Sequence, residues 1–220
     1  MDANSGFKLF VCAGAIVLVA DEVSESDRCD SLDALLYSQT VAARKVADFA
    51  LVESWCHANK MAMRITGALL LDNPQVSLPV PTPGSFSLLE LAQQVIHKRM
   101  PSAAIWNSDS NVQSRLGQAS AALASEVFQT HVLHEGKWIR FMLVVLCPDL
   151  TLTTVMIAFA FDELVAEHVL EHRFNTEKIL GNVSVDVYRD VADPEDYELS
   201  RTTIISLLGE RRQEQIIALP

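Results

Sequence analysis

"RITGALLLDN", residues 64–73, sets a basic residue and Ile-Thr-Gly ahead of an aliphatic run that stops at Asp-Asn-Pro. Aliphatic residues bounded by turn formers predict a strand from Ile65 to Leu71. Upstream, Ser31 to Lys60 contains neither Gly nor Pro. That segment predicts either one long helix capped by Ser31, or a short strand at "DALLYS" followed by a helix from about Thr40. Nearer the N-terminus, "KLFVCAGAIVLVA" (8–20) belongs to an apolar run that predicts a buried strand over residues 7–19. Its lysine and trailing small residues are also those of a short signal peptide, but the run is far below the ~20 residues that span a bilayer.

Downstream, the prolines of "NPQVSLPVPTPGS" (73–85) confine that segment to a turn and an edge strand or loop. "SFSLLELAQQVIHKR" (85–99) reads as an amphipathic helix capped by Ser85 or Ser87, with Leu88, Leu91, Ala92, Val95 and Ile96 as its apolar face. A short strand at "SAAIW" (102–106) and an Ala-rich helix over 111–128 follow. "KWIRFMLVVLCPDLTLTTVMIAFAF" (137–161) reads as two long strands around a Cys-Pro-Asp-Leu turn. A helix over 162–173, a strand over 183–190 and a terminal helix over about 197–217 complete the chain. Strands and helices alternate in both halves without a solenoid period. The expected fold is α/β (α+β), a ferredoxin-like mixed sheet packed against helices. Residues 1–130 form its first α/β unit, and 131–220 either extend that sheet or make a second small domain.

The 220 residues are 50% hydrophobic and 20% charged, with a formal net charge of -11. A chain this apolar buries a core. A surface this acidic repels phosphate backbones and anionic lipid, so neither nucleic acid nor membrane is expected as a partner. Cys12, Cys29, Cys56 and Cys147 form no C-x-x-C pair and no metal-finger spacing. Free thiols in a reducing, intracellular (cytoplasmic) compartment account for them.

"SWCHANKMAMRITGALLL" (54–71) resembles the BLUF domains, flavin-binding blue-light sensors whose first helix ends at an Asn shortly before an Ile-Thr-Gly. Asn59 and Ile65-Thr66-Gly67 match those positions. "LLYSQ" (35–39) is similar to the family's first strand, which makes Tyr37 its tyrosine, and residues 30–120 would carry the domain. The resemblance implies FAD between two helices, contacted by Tyr37 and Asn59. The family's second hairpin carries an aromatic-x-Gln and a Glu-Gly, and "QVSLPVPTPG" (75–84) has neither in register.

A second motif points to different chemistry. "HVLEH" (168–172) is a literal H-x-x-E-H. On a helix His168 and His172 would share a face and could both reach a zinc ion, with Glu171 as general base of a hydrolase. The surrounding "DELVAEHVLEHR" (162–173) also reads as an ordinary acidic amphipathic helix, with Glu163, Glu167 and Glu171 as its solvated stripe. No phosphate-cradling glycine loop and no G-x-S-x-G elbow is present. Cys56 and His57 adjoin on a helix, so their side chains diverge. Trp55, Trp106 and Trp138 are expected to pack the core.

With no complete catalytic constellation and long apolar strands to cover, the sequence points to a non-catalytic α/β interaction or structural domain. Such a scaffold needs no cofactor or metal. Its partners are other protein subunits of a larger assembly, or a second copy of the chain.

Overall fold

The structure, a computed structural model, describes residues 6–72, 75–77, 84–99, 115, 122–165 and 168–220. Its centre is a mixed sheet of nine strands among those residues, with helices on both faces. This is the α+β class expected. β1 (Phe7–Cys12) and β2 (Ala15–Ala20) form an antiparallel hairpin, so the single strand expected over 7–19 is two. The turn between them is Ala13-Gly14, apolar and buried, with no polar turn former to mark it in the sequence. Its amides are satisfied from inside the protein: Ala13 N–H donates to the Gln215 carbonyl at 2.8 Å and Gly14 N–H to Gln39 Oε1 at 3.1 Å.

The segment upstream of Arg64 folds as two helices, α1 (Glu25–Lys45) and α2 (Val52–Ile65). Neither a single helix over 31–60 nor a strand at 35–39 is present. Ser24 caps α1 by accepting from Asp27 N–H, so the helix begins before Ser31. It breaks without Gly or Pro because Asp48 Oδ1 takes the Ala50 amide at 2.8 Å, a local turn that competes with helix.

The opening stretch then reads differently from expectation. Arg64-Ile65 closes α2, and Gly67 at φ 84° terminates it. Gly67 N–H donates to the Arg64 carbonyl and Ala68 N–H to the Met63 carbonyl, the paired bonds of a Schellman stop. A Cβ on Gly67 would come within 2.6 Å of Asp196 Cβ and 3.1 Å of backbone atoms there. Ile-Thr-Gly is therefore a helix terminator seated against another helix, and β3 (Leu69–Asp72) starts after it.

β3 and β4 (Gln75–Ser77) both pair antiparallel with β10 (Ile179–Val191). The two long strands around the Cys-Pro-Asp-Leu turn are β7 (Trp138–Leu146) and β8 (Thr151–Phe161), as expected. β8 pairs with β10, and β7 runs parallel to β2. The C-terminal β11 (Ile216–Ala218) adds to β1, and β6 (Leu133–His134) pairs with β7. β5 (Ser85–Phe86) and β9 (Phe174–Asn175) make a separate pair. Strands from both sides of residue 130 interleave in one sheet.

α3 (Leu88–Arg99) has the apolar face expected, with Ser87 and Glu90 bonding each other's backbone amides as a capping box. α4 (Ala122–Val132) covers the last part of the expected Ala-rich helix; "SAAIW" and residues 111–114 and 116–121 lie outside the described residues. α5 (Pro194–Leu208) is capped by Asp193 and ends at Gly209. α6 (Arg211–Gln215) is a single short turn, so the expected helix over 197–217 is in fact α5, α6 and the first residues of β11. Among the described residues of 162–173 there is no helix. Side chains take the backbone donors there: Gln129 Oε1 accepts from Val169 N–H at 3.0 Å and His168 Nδ1 from Leu170 N–H at 3.4 Å.

Alternate strand residues face opposite layers. Leu9, Val11, Phe141, Leu143 and Ile157 meet α3 and α4, while Phe10, Cys12, Met142, Val144 and Met156 meet α1, α2 and α5. Burial on both faces is why these strands read as unbroken apolar runs. Among the described residues, no helix is long and apolar enough to cross a membrane.

Candidate functional site

The residues nominated by the sequence fall in separate places. Tyr37 lies half-buried on α1, on a helix and not on the strand the BLUF resemblance called for. Asn59 lies on α2 at 1% exposure, and its amide is engaged within the fold. Its Nδ2 donates to Ser38 Oγ at 3.3 Å, and its Oδ1 accepts from Tyr188 O–H at 3.3 Å.

Around Asn59 the even-numbered residues of β10 build a polar cluster under α2. Lys60 Nζ lies 2.6 Å from Asp186 Oδ2 and 4.6 Å from the Tyr188 ring centre. Burial pushes the Tyr188 phenol well above its ordinary range, with Asp190 and Asp186 adding to it. Asp190 is buried too, and that burial raises its carboxyl to about 6 against the pull of Lys60 and Arg64. Cys56 is buried with its Sγ 3.6 Å from Met156 Sδ, while His57 is exposed. Burial lifts the Cys56 thiol to about 12, which keeps it protonated and unreactive at neutral pH.

His168 and His172 sit in different aromatic surroundings. His168 stacks near Phe128 at 6.1 Å and places Nε2 3.3 Å from the Ser125 carbonyl, so both its ring nitrogens are occupied. His172 packs edge-on against Phe174 at 4.7 Å. Without a helix, the spacing that would put both on one face is lost. No group of three His, Cys, Asp or Glu side chains is placed to share a metal among the described residues.

One feature is one that sequence reading missed. A cleft of about 290 Å³ opens at the β1–β2 turn, between α1, α2, α4, α6 and β7. Its floor is Arg140 of β7, only 7% exposed. The Arg140 Cζ lies 3.9 Å from the Phe49 ring centre and 4.3 Å from that of Trp55. Phe49 comes from the break between α1 and α2 and also stacks on His134 at 4.6 Å. Among the described residues, buried Arg140 Nη1 has no hydrogen-bond partner, nor has Trp55 Nε1. Burial draws the guanidinium down to about 10, so it remains a cation at neutral pH. Arg44 and Arg211 also line the cleft, with no Asp or Glu among its described lining residues. A signal was available: in "KWIRFMLVVL" Arg140 is the one charge inside a doubly buried strand.

Fold and cleft together define a mixed-sheet α+β protein with a cationic hollow under an acidic surface. No family model, curated protein or solved structure matches the chain at a significant level.

Proposed function

We propose that the protein is a non-catalytic interaction domain, a component of a larger assembly, that takes an extended segment of a partner protein onto the outer edge of β3. The observation that carries this is the state of that edge. β3 ends the strand order, and on the described residues its outer side has no strand partner. Leu69 and Leu71, alternate residues on one side of it, are 56% and 54% exposed. Met61 and Ile65, one turn apart at the end of α2, are exposed just before them in the chain. Open edges of this kind are normally blunted by charge, proline or a cover. Apolar residues collected at an edge mark an interaction surface.

An added strand would satisfy the open backbone groups and set its own alternate side chains against Leu69 and Leu71. The occupant proposed is a strand of another protein. The test selects binders from a displayed library of random twelve-residue peptides, using the full chain as bait. Selected peptides should protect the amides of residues 69–72 from hydrogen exchange. They should lose binding to a Leu69→Lys, Leu71→Lys variant whose melting temperature is unchanged. Peptides that protect another surface would sink the reading. Light scattering that shows a dimer dispersed by the same variant would replace the partner strand with a second copy.

A further inference from the structure

A different part of the molecule carries a second, independent site. The structure assigns to the cleft above Arg140 the binding of a small organic anion, a molecule whose carboxylate or phosphate group is held by the Arg140 guanidinium. Three observations converge on it.

The first is an uncompensated charge. Two other ionic contacts of this face are paired: Arg212 Nε lies 2.7 Å from Asp33 Oδ1, and Lys60 Nζ lies 2.6 Å from Asp186 Oδ2. Among the described residues Arg140 has no carboxylate partner, and its buried Nη1 has no acceptor. An unpaired buried cation is costly, and stacking on Phe49 and Trp55 offsets only part of that. Stacking engages the flat faces of the guanidinium and leaves its in-plane N–H donors unfilled. Those are the donors that grip a carboxylate or phosphate two at a time.

The second is the sign of the surroundings. In a chain of net charge -11, the described lining of this cleft holds Arg44, Arg140 and Arg211 and no acid. His131 also lines the cleft, oriented by its Nδ1, which donates to the Val127 carbonyl at 2.8 Å. Low-dielectric walls around a cluster of one sign concentrate ions of the other.

The third is size and lining. About 290 Å³ is at the lower end of the range for small-molecule sites and exceeds what a bare inorganic ion fills. Trp55, Met142 and Ala13 supply apolar wall beside the cationic floor. The ligand therefore carries a compact apolar part as well as its anionic group.

The experiment follows thermal unfolding of the full chain at constant ionic strength, with sodium chloride as reference. Inorganic phosphate, citrate and benzoate are the probes. At least one of them should raise the melting temperature saturably, by about 3–5 °C at ten times its dissociation constant. Response to phosphate alone assigns the phosphate class, and response to citrate or benzoate alone assigns the carboxylate class. Arg140→Met should abolish the response. Arg44→Glu, at an exposed position, should weaken it at least tenfold and leave the probe-free melting temperature unchanged. If Arg140→Met does not fold, Arg44→Glu still decides. No saturable response to any probe, or a response that survives Arg44→Glu undiminished, overturns the assignment.

Discussion

The two faces of the central sheet are made by the same strands, yet they bury different chemistry. Toward α3 and α4 the core is aliphatic and aromatic, built on Phe128, Phe141, Phe159 and their neighbours. Toward α1, α2 and α5 the buried residues include Asp33, Gln39, Asn59, Arg140 and Asp190. The first face is specified by shape and by the hydrophobic effect alone. On the second, each polar group must find its partner or remain a standing cost. Arg140, a buried cation with no carboxylate partner among the described residues, lies on this second face, and that is also where the cleft opens.

The sharpest test of this contrast is a deletion on the apolar face. Phe128 is fully buried, with its ring edge-on to Phe141 at 5.9 Å. Phe128→Ala should lower the unfolding free energy by about 3–5 kcal/mol, measured by urea denaturation at neutral pH. A loss below about 1 kcal/mol would mean that this face tolerates a cavity and is not the rigid half.

Next in size is the joint between the opening stretch and the polar face. Gly67→Ala would force a side chain into a left-handed backbone and against Asp196 at the start of α5. A cost of about 2–3 kcal/mol is expected from strain and displacement together. A neutral outcome would show that the α2–α5 contact can shift, and that Ile-Thr-Gly is not a fixed stop.

How far the sequence could be read follows the same division. The apolar face of α3, the capping Ser87, and the β7–β8 hairpin were legible because their signals are local: heptad-like spacing, a cap, and Pro-Asp in a turn. The Ala13-Gly14 turn was hidden because Gln39 and Gln215, distant in sequence, stabilise it. The end of α2 was misread because Thr66-Gly67 serves equally to open a strand or to close a helix, and only the approach of Asp196 selects the second. His168 and His172 matched a motif whose premise was a helix. Gln129 and the His168 ring draw the backbone out of that conformation. Arg140 needed knowledge of burial on both sides of β7, which spacing alone does not supply.

The smallest effect expected concerns a buried carboxyl of the polar face. Asp190 is buried with its carboxyl raised to about 6, so the folded state holds the proton more firmly than an unfolded chain does. The sign follows from that inequality. Its contribution favours folding fully below the ordinary aspartate range near pH 4. That advantage is lost as pH rises through about 6, beyond which an ionised carboxylate is held in a poorly solvated place. Asp190→Asn keeps the shape and removes the charge. Relative to the parent chain it should therefore gain about 1–2 kcal/mol at pH 7.5, and nearly nothing at pH 4. Comparison at each pH by urea unfolding cancels the titration of all other groups. A variant less stable than the parent at pH 7.5 would show that Lys60 and Arg64 hold Asp190 as an ion. The polar face would then be a closed network in which Arg140 alone lacks its counter-charge.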